Sequence, residues 1–373
     1  MKDLLVTTHT PVLHSGQAVR TYGVARALAA NGGLTLLYTR FGALEPDSAF
    51  QSIPGIELLP VVPSRGARRL LAYGKARIAG VPAGFARGIS SELAAEAARL
   101  ARTPDRGRVI ADGPIAAAAL ARLAETHPVI YNAHNLESSF RHEITDRGAR
   151  ERDSLRAFER RLLERSAESW MVSHAEIAAA RELCPDARLR YVPNVVDVQA
   201  IAPVTPNAGE RRAIFVASFT YEPNRRGLRF LLDEVFPLVW ATIPDARLAL
   251  VGAGLEQPPS NDPRVETLGF VDDLHAAYAS ASCAVVPLLQ GGGTPLKFIE
   301  ALAHGLPVIA TARAAAGLEL HDGEDCLIAQ DATAFAAALV LVLRDGAPEL
   351  GLHGRAQVER NYSVEALSAL LER

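Results

Sequence analysis

The sequence predicts an α/β protein built from two doubly wound domains, and three observations predict it. Short β-rich runs alternate with longer helical ones, which is the pattern of parallel sheets connected by helices. That alternation breaks once, near residue 200, and then resumes. At 373 residues the chain exceeds one ordinary core and suits two domains of roughly 100–200 residues each.

In the first series "DLLVTT" (3–8) reads as a strand and "QAVRTYGVARALAA" (17–30) as an amphipathic helix, stopped by Gly32–Gly33 before the strand "LTLLYT" (34–39). "RVIADG" (108–113) and "PVIYNAHN" (128–135) repeat the strand-then-loop theme, and residues 148–168 read as a strongly charged helix. The first domain accordingly covers 1–198. "QAIAPVTPNAGER" (199–211), with two prolines, a glycine and no periodicity, is the linker. The second domain, 212–359, opens on "RAIFVASF" (212–219) and alternates through "ARLALVGAG" (246–254), "VETLGFV" (265–271), "DLHAAYASA" (273–281) and "CAVVPLL" (283–289). Ligands of such sheets sit outside the carboxyl ends of the strands, so the loops that follow strands are where chemistry is sought.

Composition narrows the class. Hydrophobic residues at 49% and charged residues at 22% describe a globular chain, and a net charge of −3 gives no general reason to expect nucleic acid. Cys184, Cys283 and Cys326 are widely separated and odd in number, which argues against a disulfide framework and fits a reducing cytoplasm. "MKDLLVTTHTP" has one lysine and only a short apolar run, unlike a signal peptide. The longest apolar stretch, "FAAALVLVL" (335–343), falls well short of the ~18 residues of a membrane span. The expectation is a cytoplasmic protein, with peripheral contact at the inner face of the membrane left open.

The most informative stretch is "QGGGTPLKFIEALAHGLPVIAT" (290–311), which lies between two buried-looking strands. Thr294 suits a helix N-cap and Pro295 the first helical position. Leu296, Ile299, Ala303 and Leu306 recur at helical spacing, and Gly305 ends the helix. A strand, a glycine loop and a helix in series bring backbone N–H groups and the positive end of a helix dipole to one point, a site for phosphate. That reading is favoured over a merely tight structural turn. Lys297 has neither the glycine nor the hydroxyl that a Walker loop requires beside it. "VGAGLEQ" (251–257) has glutamine where a dinucleotide fingerprint has its third glycine, so Gly252 and Gly254 read as turn residues. "HEITD" (142–146) lacks a zincin's second histidine, and neither D-x-D nor G-x-S-x-G occurs. What is left is a loop for a diphosphate.

"VVPLLQGGGTPLKFIEALAHGLPVIAT" resembles the donor-binding signature of the retaining glycosyltransferases of family 4, and "THTPVLHSGQAVRTYGVARALAANG", "YNAHNLESS", "YVPNVVDV" and "FVASFTYEPNRRGLRFLL" agree in the same order. The resemblance covers nearly the whole chain and is most specific over 212–311. It implies the GT-B architecture, two Rossmann-like domains facing across a cleft, with the acceptor on the first domain and a nucleotide-sugar donor on the second. It also implies hexose transfer with retention and without metal or other cofactor, and a last helix, 360–373, that packs back on the first domain.

The resemblance assigns roles by position. Glu300 matches the glutamate that binds donor ribose hydroxyls, through charge-assisted bonds; its bland alternative is a helix-surface pair with Lys297. The first glutamate of that motif is Gly292 here, so the family's side-chain contact to the transferred sugar is not carried over. Gly293, Thr294, Pro295 and Leu296 fall where the family presents backbone to the diphosphate. Arg226 matches the basic residue that neutralises the leaving diphosphate, with Arg225 or Lys297 as the second charge; the alternative for "NRRG" is a solvated turn. His134 matches the first-domain histidine at the reaction centre, Gly16 the glycine that lets a loop approach the diphosphate, and Val271 the backbone that reads the base edge. His9, His14, His275 and His304 receive no role. Between Glu57 and Glu92 there is no acidic residue, while Arg65, Arg68, Arg69, Lys75, Arg77 and Arg87 add six positive charges among apolar side chains. This arm reads equally as membrane-facing, as acceptor-facing or as a solvated helix face.

The reading is a metal-independent hexosyltransferase acting on a polysaccharide, glycolipid or secondary-metabolite acceptor. A nucleotide-sugar epimerase of the same fold and a non-catalytic carbohydrate-binding protein are the alternatives.

Overall fold

The computed structural model describes residues 1–13, 15–139, 149–291 and 293–372. The "HEITD" stretch, His14 and Gly292 therefore lie outside the described residues. The chain divides into two compact units, Met1–Val195 with Leu367–Arg373, and Val196–Ala366.

In the first unit seven strands form one parallel sheet. They are β1 (Lys2–Thr7), β2 (Leu34–Thr39), β3 (Ile56–Val61), β4 (Arg106–Asp112), β5 (Val129–Asn132), β6 (Glu168–Met171) and β7 (Leu189–Tyr191). Their spatial order is β3-β2-β1-β4-β5-β6-β7. Helices α1 (Gly16–Ala30), α2 (Ala67–Ile78), α3 (Gly113–Ala119), α4 (Ala149–Arg165) and α5 (His174–Leu183) are among its connections. Every residue of β2 is buried, as is all of β1 after Lys2, which is why these strands read as continuous apolar runs without alternation. The charged helix expected over 148–168 ends at Arg165, because Glu168 already belongs to β6 beside β5.

The second unit repeats the plan with β8 (Arg212–Val216), β9 (Arg247–Val251), β10 (Val265–Gly269), β11 (Cys283–Val286), β12 (Val308–Thr311) and β13 (Leu327–Ala329), all parallel in the order β10-β9-β8-β11-β12-β13. Helices α6 (Glu222–Phe230), α7 (Leu274–Ala279), α8 (Leu296–Ala303) and α9 (Ala332–Asp345) lie in this unit. The terminal helix α10 (Val364–Glu372) begins in the second unit, and from Leu367 it counts with the first. There the Asn31 amide donates to the Ser368 carbonyl at 2.8 Å and Arg108 donates to the Leu371 carbonyl at 2.8 Å. The units meet in sequence at 195/196, ahead of the proline-rich stretch, since Val196 pairs with Ser363 of the second unit. No helix among the described residues is long and apolar enough to cross a membrane.

Both sheets reverse their strand order once, between β1 and β4 and between β8 and β11. Loops leaving neighbouring strands in opposite directions open a crevice at those two places, where ligands of doubly wound sheets bind.

Candidate active site

In the second unit the crevice is formed by the loops after β8 and β11. The glycine run follows β11. Gly291 has φ 118° and Gly293 φ 72°, conformations that a side chain disfavours, so these two glycines are required by backbone geometry. The expected cap is displaced by one residue. Pro295 keeps an extended ψ of 111° and is itself the N-cap, which makes Leu296 the first helical residue, and no side chain caps the helix. Thr294 is buried, and the loop is packed so tightly that a Cβ on Gly317 would lie 2.9 Å from the Thr294 methyl and 3.0 Å from the Gly293 carbonyl. At the far end, Gly305 at φ 78° follows the last turn, as expected.

The β8 loop leads into α6, so Arg225 and Arg226 stand in the first turns of a helix and not in a solvated turn. Gly227 explains their place: a Cβ there would lie 2.6 Å from the Pro287 carbonyl, so only glycine lets α6 reach the end of β11. The helix thus presents Arg226 to the glycine loop, where its guanidinium donates to Gln290 Oε1 at 2.9 Å. Gln290 is buried, and its Nε2 has no partner among the described residues. Glu222 accepts from Arg225, Arg226 and Arg229; hydrogen bonds from Arg229 and Arg225 above all hold its carboxyl down at about 2.

Lys297, on the first turn of α8, donates from Nζ to Asn224 Oδ1 and lies 5.2 Å from the Phe215 ring centre. Burial lowers its ammonium to about 7. Glu300 does not pair with Lys297. Its Oε2 accepts from the Tyr278 hydroxyl at 3.4 Å, and burial raises its carboxyl to about 7. Tyr278, on α7, is fully buried with its ring 4.3 Å from that of His304, whose Nδ1 lies 2.8 Å from the Glu300 carbonyl oxygen. Tyr278 escaped notice in the sequence, where it is one aromatic residue in an alanine-rich helix. Val271 lies half-buried in the loop between β10 and α7, against the same core as Leu296. Gly252 and Gly254 serve packing. Cβ atoms there would sit 1.9 Å from the Ala217 carbonyl and 2.6 Å from the Thr220 nitrogen, and no helix starts after them.

In the first unit, Gly16 is the exposed first residue of α1, with Ser15 as N-cap accepting from the Ala18 N–H. His134 follows β5 and is buried, with Nε2 2.9 Å from Asp112 Oδ1. Asp112 also accepts from Asn132 at 2.8 Å and from Thr21 at 2.7 Å, and Asn132 in turn accepts from the buried Arg20. Burial opposes ionisation of Asp112, but His134, His9 and Thr21 together outweigh it and hold the carboxyl well below the usual range. Gly113, at φ 82°, is needed because a Cβ there would lie 3.0 Å from the His134 ring. Asp112 was legible only as the end of a strand. Among the described residues no group of three or more His, Cys, Asp or Glu is placed to hold a metal ion.

Residues 210–345 match the family model of glycosyl transferases group 1. The phosphatidyl-myo-inositol mannosyltransferase of Mycobacterium leprae is 31% identical over 194 residues, 49% of this chain and 52% of that protein. The chain thus spans about half the length of the curated relatives it matches. Sucrose-phosphate synthase of Thermosynechococcus elongatus superposes with a TM-score of 0.77 at 20% identity, covering 100% of this chain and 98% of that one. HepE of Anabaena in complex with UDP-glucose superposes with a TM-score of 0.70 at 13% identity, covering 99% and 98%. Residues 210–345 are accordingly a group 1 glycosyl transferase domain, within a chain that has the two-unit α/β fold of the GT-B glycosyltransferases.

Proposed function

We propose that the chain is a retaining glycosyltransferase that moves a hexose from a nucleoside diphosphate sugar to a glycan, lipid-linked or small-molecule acceptor without a metal. The observation that supports this best is the crevice of the second unit. It brings Arg226, Lys297, an uncapped helix end and Glu300 to the β8 and β11 loops, with Lys297 bonded to Asn224 from 73 positions away. Two cations and a helix dipole take up the charge that a leaving diphosphate gains as the glycosidic bond breaks. Glu300, oriented by Tyr278, accepts from the ribose hydroxyls. His134 is the first unit's residue assigned to the reaction, its ring held by Asp112. HepE was solved with UDP-glucose and the mycobacterial relatives are named mannosyltransferases, which agrees with a nucleotide-hexose donor.

The test is a panel of donors varied in base, ribose and hexose, with turnover read as transfer or as donor hydrolysis. Glu300→Gln should lower kcat/KM at least about tenfold for ribose donors, since each charge-assisted bond is worth roughly 1.5–3 kcal/mol, and less for a 2′-deoxyribose donor. Values within about twofold throughout would return the glycine run to a structural turn. Retention is checked by the anomer of the first product in NMR spectra, and interconversion of the donor sugar without transfer would favour the epimerase.

A further inference from the structure

We propose that the first unit docks on an anionic lipid surface through α2 and the loops beside it. The helix is amphipathic in the opposite sense to a core helix. Ala76 is its one buried residue, and Tyr73, half-buried, packs on the core from the same side. On a helical wheel Ala67, Leu70, Leu71, Gly74 and Ile78 share an arc of about 100° that points away from Ala76. Leu70 is 72% exposed, Leu71 59% and Ile78 90%. Arg68 and Lys75 border this arc on one side and Arg77 on the other, and all three are exposed.

Large side chains facing water along one stripe add nothing to the unit's stability, whereas a helix that is merely solvated carries charge at those positions. Apolar side chains outward with basic ones on both rims match the acyl boundary of a bilayer and its phosphates, to which long cationic side chains extend. Charge selects the occupant. No acidic residue lies between Glu57 and Glu92, so pairing this face with a second copy would set arginines against arginines, whereas anionic headgroups complement them. Exposed Phe41 follows β2 and exposed Val62 follows β3, and Phe41 lines one small cavity with Arg69 and Ala72 of the helix. These loops leave the carboxyl edge of the sheet whose other carboxyl-end loops carry Gly16 and His134. The inference stands on this surface alone and is independent of the reaction.

The experiment is co-sedimentation of the full chain with phosphatidylcholine vesicles, with and without about 30% phosphatidylglycerol. Partitioning should need the anionic lipid and should fall at least about tenfold between about 50 and 300 mM NaCl. Leu70→Ser/Leu71→Ser/Ile78→Ser and Arg68→Glu/Lys75→Glu should each lower it at least about tenfold, with melting temperature unchanged because these side chains are exposed. Equal partitioning on both vesicle types, or wild-type partitioning by the serine variant, would overturn the proposal. So would light scattering that shows a wild-type dimer broken by the serine variant while vesicle binding persists, since the face would then belong to a second copy.

Discussion

Lys297 and Glu300 stand one helical turn apart on α8, and burial moves them in opposite directions until both titrate near pH 7. Lys297, lowered from 10.5 to about 7, contributes stability that is present in full above about 10.5 and lost as pH falls through 7. Glu300, raised from 4.5 to about 7, contributes stability present below about 4.5 and lost as pH rises through 7. The unliganded crevice is therefore least stable near neutrality, where a bound diphosphate would restore a partner to the lysine. At pH 8 Lys297 is mostly neutral, so binding of UDP, or of whichever diphosphate binds, should take up part of a proton. Titration calorimetry in buffers of different ionisation enthalpy measures that uptake. Lys297→Met should abolish the uptake and weaken binding while raising the unliganded melting temperature by about 2–4 °C. Both residues were legible because the segment that holds them carries the resemblance to a donor-binding signature. Tyr278, Gln290 and Asp112 were not, since each acts through a partner from another element.

At the scale of elements, the β8–α6 and β11–α8 segments work as a pair, and Gly227 is their point of contact. A solvated turn is the alternative reading of "NRRG", because glycine and charge favour turns, yet α6 runs through it and uses the missing Cβ to lie against Pro287. Gly227→Ala should cost about 1–3 kcal/mol by overpacking, seen in chemical denaturation, and should weaken diphosphate binding by moving Arg226 from Gln290. Gly74→Ala, in a helix with nothing within 4 Å of the new methyl, serves as the contrast and should leave stability unchanged or slightly higher. Strand and helix positions were readable from the sequence because fully buried parallel strands are short apolar runs and their helices are periodic. Helix ends shifted by a residue or more, at Pro295 and at Arg165, because the backbone angle of one residue or a neighbouring strand decides them.

Across the whole molecule, the first unit carries a store of buried acid with a consequence for stability. Glu159 accepts from the N–H groups of Glu137 at 2.6 Å and Ser138 at 3.0 Å, and Glu176 accepts from Leu136, so both grip the segment that follows His134. Burial raises each carboxyl to about 7, with Glu137 adding repulsion and Arg20 partly relieving Glu176. Raised values mean stability present below about 4.5 and lost as pH rises through 7. The melting temperature of the first unit should fall between pH 5 and 8. It can be followed by Trp170 fluorescence in a Trp240→Phe background, and Glu159→Gln should flatten the dependence. The sequence by itself determined the two doubly wound units and the glycine loop between two core strands. These are matters of local pattern: periodicity, backbone freedom and charge within one segment. Only the tertiary structure decided that Asp112 holds His134, that Tyr278 holds Glu300, and that α2 turns its apolar side outward. Residues 22 apart become neighbours through the order of the strands, and an amphipathic pattern specifies that a helix has two faces without specifying which one meets the core.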